Sequence, residues 1–445
     1  MRYHIWTIGC QMNVADSQRV AAGLEQLGYQ PAARAEEADV MVLNTCVVRQ
    51  QPEDKAVGRL NQLRSIKERY PERILVLMGC MVGVKEPVAL QKRFPWVDLF
   101  LPPSDPTALW ALLAEHGMLD EAQTLVADAE ARRLTPDHGE WVLPPSVEGS
   151  AVSAYLPIVL GCSHACTYCV IPYRRGAERS RSLETILAEA QQLASQGVKE
   201  ITLLGQIVDR YGYDLPEFEE APESPLVTLL KVLHGISGLE RIRFLTSHPQ
   251  WMKDDLLQAV ADLPKVCEHI EVPVQAGDDE VLARMRRGYT VADYSRLVGR
   301  IREVIPGVSI ATDVIVGFPG ETEEQFRHTY ELLETLRLDK AHIARYSPRP
   351  LTVATRNFKD LLSREEKERR RHTLDALQSQ ILEELNARYL GETVEILVEG
   401  QQKGRWYGRS RTDRLVFFEA PGEWLGKLVQ VRINWTGPWS LIGTV

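Results

Sequence analysis

Gly161-Cys162-Ser163-His164-Ala165-Cys166-Thr167-Tyr168-Cys169 is the stretch around which this chain is organised. Its cysteines have the spacing C-x3-C-x2-C, which allows three thiolates to surround one soft metal centre. A [4Fe–4S] cube has four irons, so three cysteine ligands leave one iron open to a substrate. The apolar run 158–160 before the loop predicts a buried strand. The loop would then lie at a strand's carboxyl end, where α/β enzymes place their chemistry.

Structural zinc is the alternative for this loop, with His164 as the fourth ligand. Four ligands within so short a segment are closer together than in the usual zinc pattern, where two pairs are separated by a longer loop. The spacing therefore favours the cluster. His164 and Tyr168 are then interpreted as packing groups or neighbours of the ligands.

A second set of cysteines follows the predicted strands of the N-terminal segment. Strands are predicted at 3–7, 39–44, 74–78 and 97–101, with helices at 17–27 and 53–68 between them. This alternation is typical of a doubly wound parallel sheet, whose strands end at one common edge. Cys10, Cys46 and Cys80 each follow a strand, so we expect them to converge there as a second three-thiolate cluster. The alternative is three inert cysteines packed in the core.

The central and C-terminal segments differ in their patterns. Strands predicted at 158–160, 200–204, 241–245, 269–274, 309–316 and 341–346 alternate with helices, which indicates a partial (βα)6 barrel. Thr322 and Gln325 match a helix capping box. A charged helix at 363–385 leaves this barrel. Five short strands at 393–398, 405–409, 414–419, 427–434 and 440–444 then predict a small OB-like β-barrel.

These patterns predict an α/β protein with domains at 1–118, 151–385 and 386–445 and a linker at 119–150. The chain has 445 residues, a formal net charge of −9 and seven cysteines. No apolar run is long enough to span a bilayer, and the N-terminus lacks a signal peptide's apolar core. We therefore expect a cytoplasmic protein without a membrane partner, whose reduced cysteines serve a metal or catalysis. An acidic protein that binds RNA needs local clusters of cations.

Two groups of arginines are candidates for RNA contact. Arg174 and Arg175 follow the cysteine loop. Arg405, Arg409 and Arg411 alternate with aromatic residues in the C-terminal segment, which is a pattern of RNA-binding surfaces. Solvated surface and internal ion pairs are the alternative explanation for both groups.

The chain resembles the radical S-adenosylmethionine (SAM) methylthiotransferases over nearly its whole length. The resemblance is carried by Gly9-Cys10, Thr45-Cys46, Gly79-Cys80, the Cys162/Cys166/Cys169 loop, Val170-Ile171-Pro172-Tyr173-Arg174-Arg175-Gly176, Thr246-Ser247-His248-Pro249, Val272-Pro273-Val274-Gln275 and Tyr346-Ser347-Pro348-Arg349-Pro350. Gly9-Cys10-Gln11-Met12-Asn13 with Asp16-Ser17, and Asn44-Thr45-Cys46-Val47-Val48-Arg49, are similar to the tRNA branch of the MiaB type.

This resemblance implies an enzyme that methylthiolates carbon 2 of N6-isopentenyladenosine at position 37 of tRNA. It implies two [4Fe–4S] clusters, one held by Cys10, Cys46 and Cys80 and one by Cys162, Cys166 and Cys169. SAM would be both the radical source and the methyl donor, with contacts from Tyr168, Gly205, Gln206 and Gln275. The C-terminal barrel would be a TRAM domain that binds RNA. The implied partners are the tRNA anticodon stem-loop, an electron donor such as flavodoxin or ferredoxin, and the iron–sulfur assembly machinery.

Some residues depart from the family pattern. Ile207 and Asp209 stand where asparagines are expected, Ala276 and Asp278 where serines are common, and Leu351 where glycine is usual. The alternative substrates are threonylcarbamoyladenosine in tRNA and an aspartate of a ribosomal protein. A non-catalytic iron–sulfur or zinc protein that binds RNA is the alternative of a different class, but clusters that only transfer electrons are normally ligated fully by protein.

Overall fold

The computed structural model describes residues 1–85, 87–120, 123–124, 126–127, 143–147 and 149–445. Most of the segment predicted as a linker lies outside these residues. The described part contains an N-terminal parallel sheet, a central set of six parallel strands with surrounding helices, and a closed C-terminal barrel. This architecture confirms the predicted α/β fold class. Within the described part, no helix is long and apolar enough to cross a membrane.

The N-terminal sheet consists of five parallel strands with helices on both faces. Its strands are β1 (Arg2–Ile8), β2 (Gln30–Pro31), β3 (Val40–Thr45), β4 (Ile74–Gly79) and β5 (Leu99–Leu101), and its helices are α1 (Gln11–Gln26), α2 (Gln50–Arg69), α3 (Val88–Arg93) and α4 (Thr107–Glu115). Helices α1 and α4 pack on one face, while α2 packs on the other. Strands β3 and β4 are buried along their whole length, which explains their uninterrupted apolar runs.

The strand order β2-β1-β3-β4-β5 places a topological switch point between β1 and β3. The strand register brings Ile8, Thr45 and Gly79 into one row across β1, β3 and β4. Cys46 and Cys80 directly follow this row, and Cys10 follows it by two residues. The fold therefore places all three cysteines at one edge of the sheet, at the point where open α/β sheets bind ligands.

The central region is a partial barrel. Its strands are β6 (Ser153–Pro157), β7 (Val159–Leu160), β8 (Arg179–Ser180), β9 (Glu200–Leu204), β10 (Arg241–Phe244), β11 (His269–Glu271), β12 (Ser309–Val316) and β13 (Lys340–Arg345). Its helices are α5 (Ile171–Arg175), α6 (Leu183–Ser195), α7 (Pro225–His234), α8 (Asp254–Asp262), α9 (Asp279–Met285), α10 (Val291–Val304), α11 (Glu323–Leu336), α12 (Val353–Asn357) and α13 (Arg364–Ala387). Strands β6, β9 and β10 form one three-stranded sheet and β11, β12 and β13 another. A parallel bridge connects Ile242 of β10 to Val266 in the segment that precedes β11.

The strand that precedes the cysteine loop is not a strand of the barrel, as the sequence predicted, but the short strand β7. The predicted strand at 158–160 is not the first barrel strand, because β6 ends at Pro157 and pairs with β9. The following residues form β7, which pairs antiparallel with β8. Strands β6 and β7 follow each other almost directly in one apolar stretch of sequence. Hydrophobicity alone therefore does not show where β6 ends and β7 begins. The predicted capping box of Thr322 and Gln325 at the start of α11 is confirmed.

The C-terminal barrel is closed and antiparallel except for one parallel pair. Its strands are β14 (Thr393–Gln402), β15 (Arg405–Ser410), β16 (Leu415–Phe418), β17 (Leu428–Thr436) and β18 (Leu441–Thr444), in the order β14-β15-β16-β18-β17. Alternate residues of β15 and β17 are buried, which is the period-two pattern of a barrel wall.

The hairpin between β15 and β16 covers the amino-terminal end of the central barrel. Arg243 of β10 donates to the carbonyl oxygens of Ser410 (2.7 Å) and Arg411 (2.9 Å) and to Glu200 (2.9 Å). Arg414 pairs with Asp339 on the opposite side of the barrel. The hairpin is therefore attached to strands around the whole barrel mouth.

Replacing Arg243 with Met should loosen this attachment. The change leaves the Glu200 carboxylate and two carbonyl groups buried without their donor, which costs about 3–5 kcal/mol for a buried pair. Amide hydrogen exchange in the hairpin at 410–414 should become faster. The control is Arg300→Met, since Arg300 pairs with Asp254 on the exposed surface and its loss should leave the exchange of the hairpin unchanged. Equal exchange in wild type and Arg243→Met would contradict the docking role.

Candidate functional site

The cysteine loop begins at a glycine that no other residue can replace without strain. Gly161 has φ +69°, and a Cβ atom there would lie 2.1 Å from the carbonyl oxygen of Ala177. The next residue, Cys162, donates its backbone N–H to Gly176 (3.1 Å). This close approach fixes the first cysteine against the chain that leaves the loop.

The three thiols of the loop differ in their surroundings. Burial raises the pKa of Cys162 to about 11 and that of Cys169 to about 12. Burial also opposes ionisation of Cys166, but the nearby His164 (3.3 Å from the sulfur to Nδ1) and the charge of Arg287 outweigh it and lower its pKa to about 7. Cys166 is thus the thiol of the loop that loses its proton most easily.

Arg287 was not identified from the sequence, although it contacts Cys166 of the cysteine loop. Its guanidinium is buried and donates to the sulfur of Cys166 (3.2 Å) and to the hydroxyl of Tyr289 (3.0 Å). It belongs to the segment after α9 and is brought to the loop only by the tertiary fold. A sequence signal existed in the charged pair Arg286-Arg287 after an apolar helix, but such pairs are usually solvated.

The N-terminal cysteines lie around a buried amide network. Asn13 donates to the side chain of Asn44 (2.9 Å) and to the carbonyl of Thr45 (3.2 Å), and Asn44 donates back to the carbonyl of Asn13 (2.9 Å). The thiol of Cys10 lies 3.4 Å from the Asn13 amide oxygen. The network therefore holds the start of α1 against the end of β3, which brings Cys10 towards Cys46.

Cys10 is exposed at the N-cap of α1, whereas Cys46 and Cys80 are buried. Burial and the neighbouring Cys80 raise the pKa of Cys46 to about 12. Burial raises the pKa of Cys80 as well, and the charge of Arg175 opposes this shift. These thiols affect one another electrostatically, as groups at one edge of a sheet should.

Arg175 connects the two cysteine sets. It lies at the end of α5, six residues after Cys169, and its Nε donates to the sulfur of Cys80 (3.1 Å). Its Nη2 forms an ion pair with the buried carboxylate of Asp16 (3.1 Å). Burial alone would lower its pKa, but Cys80 and Asp16 keep the pKa above its ordinary value. This buried position corrects the prediction that Arg175 contacts RNA.

The donor chemistry of both sets fits iron–sulfur cubes. A cube with three thiolate ligands is anionic, and each set has a buried guanidinium on one of its sulfurs. Among the described residues, no group of three cysteine, histidine or carboxylate side chains is arranged to hold a single metal ion. Cysteines of a cube are farther apart because each binds a different iron.

A cavity of about 190 Å³ lies between the cysteine loop, the barrel and the N-terminal domain. Tyr168 and Cys169 line it from the loop, and Gln275 lines it from the barrel. Asp313 and His342, which are register partners on β12 and β13, face it as well. The cavity is therefore bounded by Cys169 of the loop on one side and by polar side chains on the other.

The predicted SAM contacts divide between two places. Tyr168 and Gln275 line the cavity, whereas Gly205 and Gln206 are not part of its lining. Gly205 instead accepts a hydrogen bond from Thr246 (2.9 Å) at the carboxyl end of β9. The sequence did not identify Asp313 and His342, because alternate polar residues within strands resemble ordinary solvated positions.

Two departures from the family pattern have structural roles. Asp209 is buried and accepts the backbone N–H of His248 (3.0 Å), and burial raises the pKa of its carboxyl to about 7. Asp278 caps α9 by accepting from the backbone of Glu280 and Val281, both at 3.1 Å. Neither residue lines the cavity, so these departures concern local architecture.

The other arginines predicted to bind RNA differ in how far protein groups already engage their guanidinium groups. Arg411 is engaged by Glu268 and by the carbonyls of Pro264 and Val266, so the structure assigns it to the domain contact. Arg409 pairs with Asp413 (3.2 Å) and is partly exposed. Arg405 is exposed beside Glu419, and Arg174 donates to the carbonyl of Met81 (3.3 Å). RNA contact by Arg174, Arg405 and Arg409 stays a prediction.

Replacing Arg175 with Met should destabilise the contact between the two cysteine sets. Asp16 would remain buried without its cation, at a cost of about 3–5 kcal/mol in the free energy of unfolding. Urea denaturation of the iron-free protein measures this loss. Arg405→Met is the control, because its exposed ion pair should contribute less than about 1 kcal/mol. A loss no greater than that of the control would contradict the linking role of Arg175.

Comparison with known proteins gives three family matches along the chain. Residues 2–102 match the Uncharacterized protein family UPF0004, residues 156–333 match the Radical SAM superfamily, and residues 387–445 match the TRAM domain. Membership of the radical SAM superfamily implies a [4Fe–4S] cluster and SAM. The TRAM match agrees with the closed five-stranded barrel at the C-terminus.

Among solved structures, the radical SAM methyltransferase TsrM from Kitasatospora setae has a similar fold. Its TM-score is 0.56 at 17% identity, covering 80% of this chain and 77% of that chain. The cobalamin-dependent radical SAM enzyme OxsB has a TM-score of 0.51 at 14% identity, covering 83% of this chain and 56% of that one. At these identities the likeness concerns the fold alone.

Relatives of much higher identity cover the whole chain. The tRNA-2-methylthio-N(6)-dimethylallyladenosine synthase of Herpetosiphon aurantiacus is 47% identical over 100% of this chain and 97% of its own length. The proteins of the same name from Roseiflexus sp. and Chloroflexus aurantiacus are 48% and 47% identical and are covered over 89% and 91% of their lengths. The chain therefore belongs to the tRNA-2-methylthio-N(6)-dimethylallyladenosine synthase family of radical SAM methylthiotransferases.

Proposed function

We propose that this protein attaches a methylthio group to carbon 2 of N6-isopentenyladenosine at position 37 in the anticodon stem-loop of tRNA. The observation that carries this proposal is the pairing of two three-cysteine sets through Arg175, in a chain similar to these synthases from end to end. One set without the other would support SAM cleavage or a bound cluster, but not the transfer of sulfur.

Each cysteine set would hold one [4Fe–4S] cluster. When bound, the two clusters and SAM supply an electron, a carbon-centred radical, sulfur and a methyl group. The chain itself supplies the ligands, Cys162, Cys166 and Cys169 in the barrel and Cys10, Cys46 and Cys80 at the sheet edge. Arg287 and Arg175 place positive charge on the sulfurs of the two sets, which offsets the negative charge that a cluster brings into a buried region.

The cavity beside Cys169 would hold the reacting groups apart from water. Tyr168 and Gln275 line it and are proposed to position SAM, with Gly205 and Gln206 at the neighbouring strand end. Gln275 has φ +74°, a left-handed conformation that is uncommon for a residue with a side chain. Such strain is often retained where a side chain must be aimed at a ligand.

The remaining partners follow from the same proposal. A reductant such as flavodoxin or ferredoxin would deliver the electron, and the iron–sulfur assembly machinery would load both clusters. These partners and the reaction belong in the cytoplasm, where thiols stay reduced. Arg174, Arg405 and Arg409 are proposed to add contacts to the tRNA.

Alanine at Cys162, Cys166 and Cys169 should abolish reductive SAM cleavage and lower the iron content by about half, because one of two cubes is lost. Alanine at Cys10, Cys46 and Cys80 should lower the iron content equally and abolish the methylthiolated product, while SAM cleavage continues. Iron analysis and chromatography of 5′-deoxyadenosine measure these results. Unchanged iron in the second variant would show that its cysteines only pack in the core.

The matched control is Cys267→Ala. Cys267 is buried next to Arg243, outside both sets, and its loss should leave the iron content and the product unchanged at a modest packing cost. Mass spectrometry of tRNA nucleosides from cells with and without the protein tests the substrate. If the 2-methylthio nucleoside is formed equally without the protein, the proposed function is wrong.

A further inference from the structure

A second, larger depression of about 890 Å³ opens next to the cavity. It lies between the beginning of α2, the chain that follows β13 and the beginning of α13, and we refer to it as the α2–α13 groove. Residues 49–51 and 343–348 form much of its walls, and Arg364, Lys367 and Arg371 form its far side. The groove and the cavity share Arg49 and residues 344–347, so the two adjoin each other.

The groove is rigid at the seam between the two domains. Arg349 is buried and donates to the carbonyl of Val47 (3.3 Å) and to the carboxylate of Glu53 (2.5 Å). The backbone N–H of Gln50 donates to the hydroxyl of Ser347 (3.2 Å). These bonds join the loop after Cys46 to the chain after β13. The groove is therefore a preformed surface and needs no domain movement to exist.

Basic residues outnumber acidic residues in the lining of the groove. Five basic residues line it against three acidic ones, in a protein whose formal net charge is −9. The acidic residues are already engaged: Asp360 by Lys367 (2.6 Å), Glu368 by Arg345 (2.9 Å) and Arg371, and Asp54 by the amide of Gln50. The excess positive charge is consequently available to a ligand from outside.

Two of the basic residues, Arg49 and Arg364, are exposed and form no ion pair within the described part of the chain. The charge of Arg49 also acts on the partly buried carboxylate of Asp313, which lines the adjoining cavity. Arg49 lies where the groove meets the cavity, and Arg364 lies at the first position of α13. A guanidinium at each place offers planar, bidentate donors, which suit phosphate groups.

The size of the cavity restricts what can enter it. A cavity of about 190 Å³ cannot admit a duplex or a structured loop as a whole, so the reacting base must be extruded from its strand. The phosphates on either side of an extruded nucleoside then remain at the cavity mouth. Arg49 lines both the cavity and the adjoining groove, so its guanidinium is within the region that such phosphates would occupy.

We propose that the α2–α13 groove binds the single RNA strand that flanks the reacting nucleoside, with Arg49 and Arg364 contacting its phosphates. This inference depends on the proposed function, since it assigns a surface to the RNA of that reaction. An acidic peptide would satisfy the same cations. RNA is the occupant that the structure favours, because the groove adjoins the cavity that a base must reach and shares Arg49 with it.

The test uses the full-length, cluster-loaded protein and a tRNA that carries N6-isopentenyladenosine but lacks the methylthio group. Binding is measured by fluorescence anisotropy at several salt concentrations for wild type, Arg49→Gln and Arg364→Gln. Each lost contact with a single strand should reduce the slope of log affinity against log salt by about 0.7. The double variant should therefore lose about 1.4.

Arg93→Gln is the matched control. Arg93 is exposed on α3 and does not line the groove, so its removal should leave the slope unchanged. Iron content and circular dichroism verify folding. Gln51→Glu adds a negative charge to the groove wall without removing a contact, and it should weaken binding even if an arginine variant fails to fold.

A photo-crosslink locates the strand directly. 4-Thiouridine placed next to the reacting nucleoside should crosslink to peptides that contain residues 49–51 or 343–348. Wild-type slopes in both arginine variants, or crosslinks confined to the C-terminal barrel, would overturn the groove assignment while methylthiolation by the wild type leaves the proposed function standing. A wild type that forms no methylthiolated tRNA would overturn the function and the groove together.

Discussion

The guanidinium of Arg175 is the contact on which the geometry of both cysteine sets depends. A buried cation requires partners, and this one has Asp16 and Cys80, which belong to α1 and to the end of β4. Its own backbone follows Cys169 by only six residues. A displacement of the N-terminal sheet would therefore either break a buried ion pair or move the cysteine loop. The distance between the two sets is consequently determined by packing and is insensitive to the loops that connect the domains.

Much of this arrangement was predictable because it follows from strand order. Apolar runs locate β3, β4, β9 and β12 in the sequence, and the rule that parallel strands end at one edge predicts that Cys10, Cys46 and Cys80 lie close together. In this chain Ile8, Thr45 and Gly79 lie in register on neighbouring strands, so the three cysteines that follow them start from one row. The resemblance to a known family added the cofactors and the substrate, which hydrophobic periodicity does not encode.

Long polar side chains were the part that the sequence did not predict. Arg175 and Asp16 are 159 residues apart, and nothing in the local pattern around Arg175 distinguishes a buried guanidinium from a solvated one. Arg411 presents the same difficulty, since the donors that would suit a phosphate also suit a carboxylate and two carbonyls. Arginine is long enough for its destination to depend on the tertiary fold. Arg287 reaches a cluster cysteine for the same reason.

The hairpin between β15 and β16 makes the C-terminal domain a structural part of the central barrel. This hairpin closes the amino-terminal end of the central barrel, where it contacts Arg243, Glu268 and Asp339. A truncated protein without residues 387–445 would expose the amino-terminal end of the barrel to water. Lost turnover after truncation is therefore no evidence for lost RNA affinity. Nor is the domain an interchangeable module, since a substitute would have to reproduce the contacts of this hairpin with the central barrel.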